Sequence, residues 1–233
     1  MLLAICARLH GQSDTISALT STDGEYLIRE VFLGGGECFE VSNIQLRGEV
    51  GQAGVFTNGS SSIGFAEGII LSNGNVEEIM GPNVGINLGD PNTLSTNYGV
   101  TSADPDLVIL SELEGNLNPN FFDPVVLEFD FVPTLDSISF EFVFASEEYC
   151  QYSLSTFIDL FGFFIDGPGI NGPFTNNGIN IAVVPETNQA ITAQSINPFF
   201  NNTFYRNNIP PGQIGCSLNQ PAPASDFNAF NGF

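Results

Sequence analysis

The sequence predicts an all-β fold: an antiparallel β-sandwich or jelly-roll-like domain with one or two short helices. Three observations support this class. Stretches in the middle of the chain alternate apolar and polar residues with a period of two, as half-buried strands do. Turn-forming residues are frequent throughout, with 25 Gly and 14 Pro among 233 residues. No amphipathic helix of ordinary length is evident, so sheets must bury the apolar residues, which include 22 Phe.

The clearest strands lie in the centre of the chain. Residues 125–132 alternate, and residues 137–145 repeat the pattern after the turn-like residues 133–136. We expect the two segments to form an antiparallel hairpin with one core face. The Phe side chains expected to be buried there are Phe129, Phe131, Phe140, Phe142 and Phe144.

The remaining elements follow from shorter patterns. The sequence predicts a strand or short helix at 26–32, and a long surface excursion from 80 to 119 with a short helix near 106–113. Beyond residue 197 we expect loops. Five further strands are predicted, at 38–46, 62–72, 157–165, 179–184 and 190–196.

The charge is strongly one-sided. The chain has 26 acidic residues, four Arg and no Lys, for a net charge of −22. Such a field repels nucleic acid and anionic lipid headgroups, because phosphate binding requires Lys and Arg. It suits divalent cations that prefer carboxylate oxygens. No apolar stretch reaches the roughly 18 to 20 residues of a membrane span.

The N-terminal residues 1–12 form an apolar segment, which we interpret as the remnant of a signal peptide, with an ordinary strand as the alternative. Of the four Cys, none forms a Cys-x-x-Cys pair, so zinc is not indicated. In an exported protein a Cys150–Cys216 bridge is conceivable, but the spacing does not fix how Cys38, Cys150 and Cys216 pair.

A group of carboxylates is the candidate metal site. Glu147 and Glu148 follow directly on a predicted strand, and Asp159 lies at the start of the next apolar segment. If the chain returns on itself between them, these oxygens would suit Ca²⁺. The alternative is that Glu147 or Glu148 accepts backbone N–H groups and holds the loop in shape. A weaker candidate set lies across the predicted hairpin, where Glu128 would face Glu141 beside Asp130: Glu128, Asp130 and Glu141.

Signatures of catalysis are few. The single His, His10, lies in the N-terminal segment, so nucleophile–histidine pairs have no base in the predicted domain. No nucleophile elbow, phosphate-binding loop or dinucleotide fingerprint occurs. A glycosidase needs only two carboxylates, which this chain could supply.

Four motifs resemble the choice-of-anchor L domain family. They are Phe129-Asp-Phe-Val-Pro133, Phe142-Val-Phe-Ala-Ser-Glu-Glu-Tyr149, Asp159-Leu-Phe-Gly-Phe-Phe-Ile-Asp-Gly-Pro168 and Asn180-Ile-Ala-Val-Val-Pro185. The resemblance covers roughly residues 26–233. It implies a secreted bacterial surface domain of β-sandwich type, in many species exported by type IX secretion. Family members usually continue into further strands, so the resemblance also implies that the domain is truncated at its C-terminus.

The residues and the resemblance together favour a non-catalytic extracellular module for adhesion, ligand binding or surface display, stabilised by Ca²⁺. The expected partner is an extracellular protein or glycan, with no nucleic acid and no membrane span. Two alternatives stay open: a carbohydrate-active enzyme that uses a carboxylate pair, and a self-assembling filament or surface-layer subunit. The last would associate through an unpaired strand edge.

Overall fold

The protein is described by a computed structural model that covers residues 15–35, 39–80, 96–116, 120–133, 137–146, 149, 153 and 159–207. Its strands pair in antiparallel fashion and its helices are short, which confirms the predicted all-β class. The strands are β1 (Ser17–Thr20), β2 (Phe39–Arg47), β3 (Ala53–Thr57), β4 (Glu67–Leu71), β5 (Val126–Pro133), β6 (Phe164–Ile165) and β7 (Ile179–Asn180).

The first sheet has the strand order β1-β3-β4. Phe56 of β3 lies opposite Gly68 of β4, and a side chain on Gly68 would meet the Phe56 ring at 2.9 Å. The glycine therefore leaves room for the ring to lie across the neighbouring strand. Beneath this sheet is a buried cluster that consists of Ile16, Ala18, Phe56 and Ile79.

The second sheet pairs β2 with β5, which are far apart in the sequence. Its register shifts between Ser42 and Gln45, where Asn43 has a φ of 53°. The Asn43 side-chain amide crosses the bulge and donates to the Asp130 carboxylate at 2.5 Å. On β5, Leu127, Phe129 and Phe131 are half-buried, while the acidic residues between them are exposed, so the predicted alternation is confirmed.

The predicted hairpin, however, is wrong. Residues 137–145 form no strand, and β5 hydrogen-bonds to β2 instead. Segment 137–145 packs through its rings: Phe140 stacks on Phe32 with centroids 5.5 Å apart and contacts Phe163 at 4.9 Å. Side-chain packing rather than a backbone ladder therefore holds this segment against the rest of the molecule.

The Phe-rich face is less buried than the alternation predicts. Phe129, Phe131, Phe140 and Phe144 are half-buried, and Phe142 is 37% exposed, so its expected burial is wrong. Phe142 touches Phe161 at a centroid distance of 5.3 Å but lies at the edge of the packed region. The most deeply buried apolar residues are elsewhere, and they include Leu27, Ile28, Val76 and Val184.

Two predicted positions are helical. Helix α1 (Gly24–Tyr26) begins at Asp23, which accepts a hydrogen bond from the Tyr26 N–H, and it continues as a π-helix at Leu27–Phe32. Helix α2 (Pro105–Leu113) begins at Asp104, with Pro at its first position. These observations decide the 26–32 segment in favour of a helix and confirm the short helix near 106–113. Two short 3₁₀ helices complete the described helices, at Val76–Ile79 and Thr175–Asn177.

The two strands predicted after residue 179 are largely absent. Strand β7 covers only Ile179–Asn180, and a single bridge joins Val183 to Ala190. Residues 190–196 turn instead, because Thr192 and Ser195 bond each other's backbone: the Thr192 N–H donates to Ser195 Oγ and the Ser195 N–H to Thr192 Oγ1. Such local side-chain bonds compete with a strand ladder.

In the part of the chain that the structure describes, no helix is both long and apolar enough to cross a bilayer. The described strands form three small sheets, with β6 and β7 as the third.

Candidate functional site

A buried glutamine joins three loops at one end of the β3-β4 pair. The Gln52 side chain is fully buried; its Nε2 donates to the carbonyls of Asn73 at 3.1 Å and Asp123 at 2.6 Å. Its Oε1 accepts the Glu49 N–H at 2.6 Å. Because a buried amide is costly unless it is satisfied, this set of bonds fixes the three loops relative to one another.

Asp123 extends the same network. It is buried at a φ of 50°, and its carboxylate accepts the backbone N–H groups of Tyr98 at 3.1 Å and Val100 at 2.8 Å. The carboxylate therefore organises backbone rather than offering its oxygens to a ligand. The Tyr98 hydroxyl is buried, and burial together with the carboxylates of Glu78, Asp123 and Glu49 raises the pKa of that phenol.

The structure describes only part of the predicted calcium site. Glu147 and Glu148 lie outside the described residues. Asp159 is half-buried and accepts a hydrogen bond from Asn73 Nδ2 at 3.1 Å. Withdrawal of this carboxyl from water raises its pKa, and the Asn73 bond offsets part of the effect.

Strand pairing does not bring together the weaker candidate ligands Glu128, Asp130 and Glu141. Glu128 lies opposite Gln45 on β2 and forms an ion pair with Arg47, which also reaches Asp104. Asp130 is engaged by Asn43, and Glu141 is exposed in a segment that has no strand. Among the described residues, no three His, Cys, Asp or Glu side chains form a group that could hold a metal. All four cysteines lie outside the described residues.

The last residue of the Ser-Glu-Glu-Tyr motif has a structural role. Tyr149 is 1% exposed and packs against Tyr205 with ring centroids 4.9 Å apart. Burial raises the pKa of both phenols far above the ordinary value. The two rings belong to a core with Val184, Ile191, Ala193 and Ile196.

Two loops present aromatic side chains to solvent. The first borders a shallow groove of about 230 Å³, lined by Thr101, Ser102, Ala103, Asn120, Phe121 and Phe122. Phe122 is 63% exposed and immediately precedes the buried Asp123. The groove therefore has an apolar rim with hydroxyl and amide groups beside it.

The second loop is residues 197–205, which we call the phenylalanine loop. Phe199, Phe200 and Phe204 are 55%, 56% and 45% exposed, respectively. Asn197 is fully buried beneath them: its Nδ2 donates to the carbonyls of Ala193 and Gln194, and its Oδ1 accepts the N–H groups of Phe199 and Phe200.

The sequence predicts loops beyond residue 197, but the exposure of these rings was not predicted. Apolar residues are expected in the interior, and exposure depends on packing that a local pattern does not report. The available signal was Asn197-Pro-Phe-Phe-Asn-Asn202, in which aromatic residues are surrounded by turn formers.

These features define an all-β domain in which buried polar side chains hold loops in place and exposed aromatic residues are carried on those loops. Residues 15–228 match the choice-of-anchor L domain, so the chain belongs to that family of surface-associated modules. The family implies a surface or secreted bacterial protein. No curated protein and no solved structure matches the chain.

Proposed function

We propose that this domain is a non-catalytic binding module on the outside of a bacterial cell, serving adhesion or the display of a bound ligand. The observation that carries the proposal is the pairing of exposed aromatic rings with buried polar anchors. Phe122 is followed by Asp123, and Phe199 and Phe200 follow Asn197 by two and three residues. Exposed apolar groups on ordered loops lose little further conformational entropy when a ligand covers them.

Three carboxylates of the described part make internal contacts, which favours binding over catalysis at these positions. Asp123 and Asp159 accept hydrogen bonds from within the protein, and Glu128 forms an ion pair with Arg47. A general acid or base needs a group that can reach a substrate proton, whereas these carboxylates are engaged in holding loops and strands.

Surface labelling tests the location. Antibodies against the purified domain should label intact cells of the source bacterium, and brief treatment of the cells with an external protease should remove the signal. Labelling that appears only after the cells are broken would contradict the proposal.

An activity assay tests the absence of catalysis. The domain should release no reducing ends from soluble polysaccharides during prolonged incubation. Release that an Asp159→Asn or Glu141→Gln substitution abolishes would instead support the glycosidase alternative.

We also propose that Ca²⁺ stabilises the domain through Glu147 or Glu148 together with Asp159. The support is the high negative charge of −22 and the half-buried position of the Asp159 carboxyl. A ligand that binds only the folded state adds about 2.7 kcal/mol at one hundred times its Kd. Chelator-treated protein should therefore melt at a higher temperature in millimolar Ca²⁺ than in NaCl of equal ionic strength.

Matched variants distinguish Ca²⁺ binding at this site from general screening of the protein's negative charge. Glu148→Gln and Asp159→Asn should remove the Ca²⁺-specific rise, whereas Glu67→Gln, at an exposed position of β4, should retain it. Equal melting temperatures in Ca²⁺ and in matched NaCl would refute calcium binding. The backbone-holding role for Glu147 or Glu148 would then remain.

A further inference from the structure

The phenylalanine loop is electrically unlike the rest of the molecule. From residue 187 to residue 205 the chain has no Asp, Glu, Lys, Arg or His, although the whole protein has a net charge of −22. The loop presents three half-exposed phenyl rings within six residues. It is therefore an uncharged aromatic patch on a strongly acidic protein.

The loop is held in shape before any ligand arrives. Besides the four Asn197 bonds, the Asn197 N–H donates to the Phe200 carbonyl at 2.9 Å and the Phe204 N–H donates to the Asn201 carbonyl at 3.0 Å. The Asn201 side chain donates to the Ser195 carbonyl at 2.8 Å. Two consecutive closed turns thus carry the three rings, and the patch needs little rearrangement to bind.

The neighbouring cation makes hydrogen bonds within the loop. Arg206 directs its guanidinium to the carbonyls of Thr203 and Tyr205, at 3.3 and 3.2 Å, and so closes the end of the loop. An anionic ligand would find no ionic partner among residues 187–205 and would be repelled by the surrounding field. A second copy of the chain, with the same charge, would be repelled in the same way.

From these contacts we propose that the phenylalanine loop binds a neutral polysaccharide. The C–H faces of a pyranose ring are apolar and suit the electron-rich faces of Phe199, Phe200 and Phe204. Sugar hydroxyls can exchange hydrogen bonds with the side chain of Asn202, which is exposed on the same loop. The proposal deepens the binding function above and rests on it.

Native affinity electrophoresis tests the proposal. Purified domain is run in gels that contain one of four neutral polymers (hydroxyethyl cellulose, soluble β-1,3-glucan, dextran or glycogen) or the anionic polymer alginate. At least one neutral polymer should retard the domain, and alginate should not. If none of the four neutral polymers retards it, the proposal is overturned.

Substitutions in the phenylalanine loop test whether this loop is the binding site. Phe199→Ala combined with Phe200→Ala should weaken binding at least tenfold, and adding Phe204→Ala should abolish the retardation. All three positions are exposed, so these variants should keep the far-ultraviolet circular dichroism and melting behaviour of the wild type. Leu113→Ala, similarly exposed at the end of helix α2, should bind as the wild type does.

Other occupants would give distinct results. Unchanged polysaccharide binding by the triple variant would place the binding elsewhere: the phenylalanine loop would be excluded while the general binding function stands. Binding of wild type to phosphatidylcholine vesicles, or its dimerisation in light scattering, with loss in the triple variant and no retardation by neutral polymers, would identify a membrane or a second copy as the occupant. Either result would overturn the proposal without affecting the surface-labelling test.

Discussion

At the scale of single residues, buried amides control the shape of exposed loops. Asn197 makes four side-chain hydrogen bonds within a stretch of eight residues, two as donor and two as acceptor. The side chain substitutes for a backbone ladder, which explains why a segment with strand-like apolar residues turns.

We expect Asn197→Ala to lower the free energy of unfolding by about 2 to 4 kcal/mol, because it leaves buried carbonyl and N–H groups without partners. Urea denaturation measures the loss. Asn188→Ala, at an exposed position in the same uncharged stretch, is the control and should change stability by less than about 0.5 kcal/mol. An equal, small loss in both variants would show that the Asn197 bonds are not needed.

The tyrosine pair predicts a dependence on alkaline pH. The pKa values of Tyr149 and Tyr205 are raised in the folded state by burial, so the folded protein retains both protons where the unfolded chain would lose them. The contribution of these groups to stability is therefore complete below their unfolded pKa of about 10 and is lost as the pH rises above it.

Absorbance at 295 nm records tyrosinate formation, and the chain has five Tyr and no Trp. The tyrosinates of Tyr149 and Tyr205 should appear together with unfolding, as followed by circular dichroism. Tyr149→Phe or Tyr205→Phe should each remove one tyrosinate from that cooperative step, and Tyr26→Phe, which is exposed, should leave it unchanged. Smooth ionisation of all tyrosines in a still-folded protein would contradict the buried pair.

At the scale of elements, the Gln52 side chain connects the end of the β3-β4 pair to the loop that contains Asp123. Gln52→Glu keeps the size of the side chain but replaces the amide that donates to two carbonyls with a carboxylate. We expect a loss of about 2 to 4 kcal/mol at neutral pH.

The loss should shrink in acid. Burial and two facing carbonyls raise the pKa of the introduced carboxyl, so its unfavourable effect appears as the pH rises through that raised value and is smaller below it. Denaturation of Gln52→Glu at pH 7 and pH 4.5, each compared with the wild type, measures the change. Gln189→Glu, at an exposed position, should show no such pH dependence.

The aromatic segment 137–145 gives a second test at this scale. Phe140 lies between Phe32 and Phe163, whereas Phe142 is 37% exposed. We expect Phe140→Ala to cost about 3 kcal/mol and Phe142→Ala about 1 kcal/mol. Thermal melts of the two variants show which substitution lowers stability more. An equal or larger loss of stability for Phe142→Ala would contradict this assignment of packing.

The elements also show what a sequence can predict. Strand β5 and helix α2 follow from local signals: strict alternation in one, and an Asp-Pro start in the other. The partner of β5 could not be predicted in this way, because β2 lies some eighty residues earlier and the adjacent segment 137–145 has an equally suitable pattern. The exposed rings of the candidate site were missed because apolar residues have the same local pattern whether they are covered or not.

At the scale of the whole molecule, charge opposes compactness. A net charge of −22 in 233 residues causes self-repulsion, and few cations offset it. We expect the melting temperature to rise by about 5 °C between 10 mM and 500 mM NaCl, because salt shortens the range of the repulsion.

Neutralising exposed acids should have the same effect as salt. A variant with Glu30, Glu40, Glu67 and Glu112 all replaced by Gln takes the net charge from −22 to −18, since four negative charges are removed. Its melting temperature in low salt should be higher than that of the wild type, and its response to NaCl smaller. If NaCl raises the melting temperature of the variant as much as that of the wild type, the salt effect has a cause other than net charge.

The strand order has a consequence for how the chain folds. Strands β1, β3 and β4 lie within residues 17–71 and can pair soon after they meet, but β2, inside that same stretch, must wait for β5 at residues 126–133. Closing so long a loop is slow and entropically costly. We therefore expect the β1-β3-β4 sheet to gain protection from hydrogen exchange first. Until β5 arrives, β2 remains an unpaired strand whose edge other chains can reach.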